Sequence, residues 1–176
     1  MKTDYIDLWQ VHAIETYKDV ENRVTNEILE VMAEAKKSDK VRYVGFTRHA
    51  HPEVHLRMLK LSDNQLDYDA CQMPVNIMDV NFQSFIKNVM PELLKKKIGI
   101  LAMKTLAEGR FFKENIENES YRNTHDAVIP DRISIKDALY CVWSLPVSTF
   151  ITGAEKVEYV KDKIAYAKSF SILSDH

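Results

Sequence analysis

The sequence predicts an α/β fold in which five parallel strands alternate with helices. Five short apolar runs recur at intervals of about 30 to 50 residues, and a segment of helical periodicity follows each of them. The runs are nearly continuous rather than alternating, which is typical of parallel strands buried on both faces. This pattern alone allows an open doubly wound sheet or part of a (β/α)₈ barrel, since a closed barrel needs eight units and about 250 residues.

The predicted strands and helices follow one another in βαβ order. Strands are predicted at 4–12, 41–47, 68–76, 98–106 and 148–154, and helices at 24–37, 53–61, 82–96, 134–145 and 155–170. The first helix is expected to bury one stripe, which comprises Val24, Ile28, Val31, Met32 and Ala35. Pro91 predicts a kink or two consecutive helices, and Ser134 is a plausible N-cap. Residues 107–133 form a polar insertion, which we interpret as a long loop after a strand.

Length and charge narrow the class of protein. The 176 residues suit a single domain, 1–176. A net charge of −2 gives no basic field that would attract nucleic acid or anionic lipid. No apolar run approaches the roughly 20 residues of a membrane helix, and the first residues lack a signal-peptide pattern. Cys71 and Cys141 lie far apart in apolar surroundings. We therefore expect a cytoplasmic protein with reduced cysteines, no nucleic-acid partner and no membrane partner.

Five segments in order resemble the last five strands of aldo-keto reductases. They are TDYIDLWQVH (3–12), VRYVGFTRH (41–49), CQMPVN (71–76), ILAMKTLAEGR (100–110) and LPVSTFITGAEKVEYVKDKIA (145–165). Each segment alone is a weak signal, whereas five in the family's order and spacing are a strong one. The resemblance implies the C-terminal five βα units, strands four to eight, of a (β/α)₈ TIM barrel.

The resemblance implies an NAD(P)H-dependent oxidoreductase that reduces aldehydes or ketones. The family uses an Asp-Tyr-Lys-His tetrad, and His12 matches the histidine. The other three belong to the first three βα units, which are not found in this chain, and Tyr5, Asp7 and Lys2 match other parts of the motif. We therefore expect a truncated chain that is inactive or nearly so by itself. The alternative is a non-catalytic nucleotide-binding or scaffold remnant.

The resemblance also implies a dinucleotide site, for NADP or NAD, spread over the strand ends. Thr47 and Arg48 match a pair that contacts the carboxamide, although Arg48 replaces a smaller residue and suits a phosphate or an acidic substrate. Gln72 matches the glutamine that holds the carboxamide, and Asn76 is read as a loop cap. Met103 matches a residue that stacks on the nicotinamide ring; the alternative for it is simple core packing.

The remaining implied contacts lie on the last two loops. Lys104, Leu106 and Gly109 match the loop around the pyrophosphate. Gly153, Ala154 and Lys156 match the turn that binds the adenosine ribose at a helix N-terminus. Tyr159 stands where many NADP-preferring members have arginine, so Lys156 or Lys163 would have to compensate.

Two further expectations concern metals and association. His51 and His55 are spaced at i and i+4, but no acidic or cysteine ligand accompanies them, so we predict exposed imidazoles and no metal site. The first and last strands lack the neighbours that a closed barrel supplies. We therefore expect weak dinucleotide binding and self-association through exposed strand edges.

Overall fold

The computed structural model describes residues 2–109, 111 and 132–173. Its strands are β1 (Ile6–Val11), β2 (Val41–Thr47), β3 (Ala70–Pro74), β4 (Gly99–Met103) and β5 (Thr149–Phe150). They form a sheet in the order β1-β2-β3-β4-β5. The predicted five-stranded parallel sheet is confirmed, but its strands are shorter than the apolar runs that predicted them.

The chain divides into two compact units. The first comprises Met1–Pro74 and Met78–Leu101, and the second comprises Val75–Ile77 and Ala102–His176. The first unit carries α1 (Tyr17–Thr25), α2 (Ile28–Lys37), α3 (Pro52–Ser62), α4 (Phe85–Asn88) and α5 (Met90–Lys95). The second carries α6 (Ile135–Trp143) and α7 (Val157–Lys168). That all 176 residues act as one domain stays a prediction.

In the first unit, the parallel register gives the sheet two unlike faces. Gln10 pairs with Gly45, and Gly45 pairs with Ala70. Two residues further along the strands, Thr47 pairs with Gln72. Because side chains alternate along a strand, these residues share one face, which we call the polar face. The opposite face carries Val44, Phe46 and Cys71, all fully buried. The ring centroid of Phe46 lies 5.5 Å from that of His55 on α3, so helices cover this opposite face.

Asp69 fixes the start of β3 against β2. Its carboxylate accepts the N–H of Val44 at 2.9 Å and the Lys36 ammonium at 2.7 Å. Its own N–H donates to the Val44 carbonyl at 2.8 Å, and its carbonyl accepts the N–H of Gly99 at the start of β4. One residue thus satisfies backbone groups on the strands to either side of it.

The helix predicted at 24–37 is wrong in its bounds and in part of its buried face. It is two helices, α1 and α2, separated at Glu27, whose φ of 62° lies in the left-handed region. Met32 of the expected stripe is fully buried, but Val31 of that stripe is 50% exposed. Leu29, which lay outside the stripe, is fully buried. Phe82, the first residue of the helix predicted at 82–96, is 77% exposed and lies before α4, which begins at Phe85.

Two local helix predictions are confirmed. Pro91 lies at the start of α5, which follows α4 directly. Ser134 caps α6 in a capping box, in which its hydroxyl accepts the Asp137 N–H and the Asp137 carboxylate accepts the Ser134 N–H. Over the part of the chain that the structure describes, no helix is long and apolar enough to cross a membrane.

Candidate functional site

The polar face of the first unit ends in hydrogen-bonding side chains. Thr47 is 4% exposed, and its hydroxyl has no hydrogen-bond partner among residues 2–109, 111 and 132–173. Gln72 is its neighbour on β3. The amide nitrogen of Gln10 on β1 is likewise buried without a partner in this part of the chain. Since buried polar groups are normally paired, Thr47 and Gln10 are candidates for contact with a ligand.

His12 is the first residue after β1, and its side chain is exposed. The Arg23 guanidinium donates to its carbonyl at 3.1 Å and binds the Asp19 carboxylate at 2.8 Å. That hydrogen bond from Arg23 is the main reason why the pKa of Asp19 lies below its usual value. The His12 ring meets His49 edge to face, with centroids 6.5 Å apart. The backbone at the strand end is thus held in place while the imidazole stays accessible.

Arg48 ties the loop after β2 to the loop after β1. Its Nε donates to the Ala50 carbonyl at 2.6 Å, and its Nη1 donates to the Ile14 carbonyl at 2.5 Å. It also lines a surface pocket of about 360 Å³, which we call the Arg48 pocket. The other lining residues are Ala13, Glu15, Thr16, His49, Ala50 and His51.

In the second unit, the end of β4 leads into a tight turn. Met103 is buried at 4% exposure. Lys104, which follows it, has a φ of 58° and forms an ion pair with Glu108. The N–H of Gly109 donates to the Leu106 carbonyl at 2.9 Å, and its φ of 81° favours glycine. The three loop residues that the sequence singled out therefore share one turn.

Two lysines contact the region between β5 and α7: Lys156 in the turn itself and Lys163 on α7. The Lys156 ammonium lies 5.8 Å from the ring centroid of Tyr159. Lys163 donates to the Thr152 hydroxyl at 2.8 Å and to the Gly153 carbonyl, and partial burial lowers its pKa. Gly153 and Ala154 are exposed. The two cations named as substitutes for the missing arginine thus both lie in this second unit, on or against the β5–α7 turn.

The predicted site residues divide between the two units. His12, Thr47, Arg48 and Gln72 lie in the first, and Met103, Lys104, Leu106, Gly109, Gly153, Ala154 and Lys156 lie in the second. Most of the predicted 107–133 loop falls outside the residues that the structure describes. Two polar groups were missed: Gln10, and Thr105, whose hydroxyl is also buried without a partner in the described part of the chain. The signal for Gln10 was its place two residues before His12, on the same face of the strand.

The prediction of exposed imidazoles is wrong for His55. This residue is fully buried, with its ring centroid 5.0 Å from Phe85. Burial lowers its pKa to about 4, an effect that the Gln72 backbone opposes and the Arg48 charge adds to. His51, by contrast, is exposed and lies 3.3 Å from the Glu53 carboxylate. Nowhere in the described ranges do three histidine, cysteine, aspartate or glutamate side chains cluster as metal ligands would.

His55 predicts a loss of stability in mild acid. The native state keeps the imidazole neutral down to about pH 4, whereas the unfolded chain protonates it near pH 6.5. Stability should therefore fall as the pH drops below about 6.5 and level off below about 4, by roughly 3 kcal/mol in all. Urea unfolding at pH 7.5 and pH 5 measures this. His55→Leu is the control, because it should remove about 2 kcal/mol of the difference; equal pH dependence in both chains would contradict the burial of His55.

The sequence and the fold both resemble those of known oxidoreductases. Residues 1–129 match the model of the Aldo/keto reductase family. The uncharacterized oxidoreductase YqkF of Bacillus subtilis (strain 168) is 25% identical over an alignment of 193 positions, which covers 96% of this chain and 57% of the relative. The holo form of aldo-keto reductase AKR11C1 from Bacillus halodurans superposes with a TM-score of 0.69 at 21% identity, over 98% of this chain and 56% of that one.

A second solved structure agrees. Glycerol dehydrogenase AKR11B4 from Gluconobacter oxydans gives a TM-score of 0.57 at 13% identity, over 99% of this chain and 62% of its own. The chain spans about half the length of the relatives it matches. Of the two architectures that the pattern allowed, the fold is therefore the partial barrel and not the open doubly wound sheet.

Proposed function

The chain belongs to the aldo/keto reductase family, and from this premise we propose that it carries the second part of a site for NAD(P)H-dependent reduction of aldehydes or ketones. The observation that supports this most is the buried hydroxyl of Thr47, which has no hydrogen-bond partner within the described residues. It lies beside Gln72, at strand ends next to His12. Catalytic groups of parallel barrels lie at the carboxyl ends of their strands.

Each group has a proposed task. His12 orients and polarises the substrate carbonyl, while the Thr47 hydroxyl and the Gln72 amide hold the carboxamide of the cofactor. Met103 packs against its ring, and the turn with Lys104, Leu106 and Gly109 follows the pyrophosphate. Arg48 adds a positive charge in the first unit, and Gly153, Ala154 and Lys156 receive the adenosine end. When bound, a reduced NADP or NAD supplies the hydride.

Dinucleotide binding tests the proposal separately from turnover. We expect a dissociation constant of about 10⁻⁴ M or weaker, because an incompletely preorganised pocket forfeits affinity. NADPH and NADH are titrated against the chain and followed by nicotinamide fluorescence. Thr47→Val should weaken binding several-fold, because it leaves a carboxamide group unpaired, whereas Thr47→Ser keeps the hydroxyl and should restore it. Submicromolar affinity, or no saturable binding to either dinucleotide, would each contradict the proposal.

We also propose that the isolated chain self-associates. β1 and β5 are the two ends of the strand order, and an end strand presents unpaired backbone groups. Tyr5 before β1 is 55% exposed and Ile151 after β5 is 45% exposed. Light scattering after size-exclusion chromatography should give a mass above the monomer's 20.4 kDa. A cooperatively unfolding monomer at high micromolar concentration would contradict this.

A further inference from the structure

We propose that the Arg48 pocket binds the carboxylate of the substrate, so that the carbonyl compound reduced is a short oxo-acid. This inference rests on the proposed function and deepens it by naming the substrate class. It uses residues of the first unit alone, 13–16 and 48–51.

The Arg48 guanidinium is held in place before any ligand arrives. Two of its five N–H groups are committed to the carbonyls of Ile14 and Ala50. The structure shows no other hydrogen bond of this guanidinium within residues 2–109, 111 and 132–173. These two bonds fix the orientation of the guanidinium and of its remaining N–H groups. A planar guanidinium held in this way loses little conformational entropy when it binds a carboxylate.

The other lining groups leave the guanidinium largely uncompensated. Glu15 brings the one carboxylate among the lining residues. The neighbouring Asp19 is bound to Arg23, and Glu53 lies against His51. The Thr16 hydroxyl already accepts the Asp19 N–H and keeps its own proton to donate. A hydrogen-bond acceptor with negative charge is the ligand that this set of donors matches.

The position of the pocket ties it to the reacting carbonyl. His49 lines the pocket and also meets the His12 ring, with centroids 6.5 Å apart. A carbonyl at His12 and a carboxylate in the pocket can thus belong to one small molecule. The pocket volume of about 360 Å³ lies at the small end of ligand sites. Both facts favour a short oxo-acid over a large substrate.

The test compares a charged ligand with a neutral one of similar size. Pyruvate and hydroxyacetone are titrated against the full chain by calorimetry, with the Arg48 Nε–H followed by NMR. Pyruvate should saturate and shift the Arg48 signal, and hydroxyacetone should not. Arg48→Gln should weaken pyruvate binding roughly tenfold or more, as expected for a charge-assisted hydrogen bond. Glu15→Gln should strengthen it about two- to threefold by removing the opposing charge.

Glu15→Gln keeps the test decisive if Arg48→Gln fails to fold, since it leaves both carbonyl contacts of Arg48 in place. Equal binding of hydroxyacetone, or no effect of Glu15→Gln, would overturn the inference. Inorganic phosphate and NADPH form the second arm: if they shift the Arg48 signal and pyruvate does not, the pocket serves the phosphates of the cofactor and the inference is wrong. Pyruvate binding without any dinucleotide binding would leave the pocket standing and defeat the proposed function.

Discussion

Purified alone, the chain is expected to oxidise NADPH or NADH with carbonyl substrates at well below 1 s⁻¹. Reduction places negative charge on the carbonyl oxygen, and a positioned acid that donates a proton there is worth about 10² to 10⁴ in rate. We expect His12 to orient the carbonyl, but the resemblance assigns no residue of this sequence to the tyrosine and lysine that deliver the proton. Turnover should therefore lie two to four orders of magnitude below an ordinary enzyme rate of about 10 s⁻¹.

The geometry of β1 supports this expectation. Tyr5 lies before the strand and His12 after it, so the six residues of β1 separate them. At about 3.3 Å per residue, that separation is on the order of 20 Å, so Tyr5 does not reach a carbonyl placed at His12.

Steady-state oxidation of both dinucleotides with a panel of aldehydes and quinones measures the rate. His12→Gln is the matched control, since a true residual activity should fall further when the imidazole is replaced. A turnover near 1 s⁻¹ that His12→Gln abolishes would show that this chain supplies a proton donor of its own, and would defeat the expectation.

Much of the scaffold follows from local rules, and the sequence therefore predicted it. Continuous apolar runs predicted the parallel strands because both faces of such strands are buried. Ser134 and Pro91 act within a turn or two of chain, so their effects could be read from neighbouring residues.

Helical periodicity was less informative at 24–37. The break depends on Glu27, which adopts a left-handed backbone conformation. No glycine or proline in the sequence indicates a break there. Because α2 is a separate helix, its rotation about its own axis, and not the period of 24–37, determines that Leu29 is buried and Val31 exposed.

What the sequence missed depends on contacts between segments that are far apart along the chain. His55 was read as a polar residue near a helix start, whereas Phe46 on β2 and Phe85 on α4 enclose it. Arg48 was read as suited to a phosphate or an acidic substrate, and its bond to the Ile14 carbonyl was not foreseen because Ile14 lies on another loop. The strand register that sets the Gln10–Gly45–Ala70 row is likewise visible only once the sheet has formed.

Gly45→Ala is expected to destabilise the chain strongly. A Cβ at Gly45 would lie 2.4 Å from the carbonyl oxygen of Ala70 and 3.1 Å from its carbonyl carbon. These are backbone atoms of the neighbouring strand, so no rotamer change can relieve the clash. Adding a methylene to a packed core typically costs 1–3 kcal/mol, and here we expect about 3 kcal/mol or more. The adjacent hydrogen bonds between Val44 and Asp69 would be strained with it.

Gly153→Ala is the matched control in the same chain. A Cβ there meets nothing within 4 Å, and the φ of Gly153 lies outside the left-handed range, so we expect a change within about 0.5 kcal/mol. Urea unfolding followed by far-UV circular dichroism compares the midpoints, and the yield of soluble chain shows whether Gly45→Ala folds at all. If Gly45→Ala unfolds at the same urea midpoint as the parent chain, β2 and β3 do not approach each other as closely as their register implies. The pairing of Thr47 with Gln72 would then be in doubt as well.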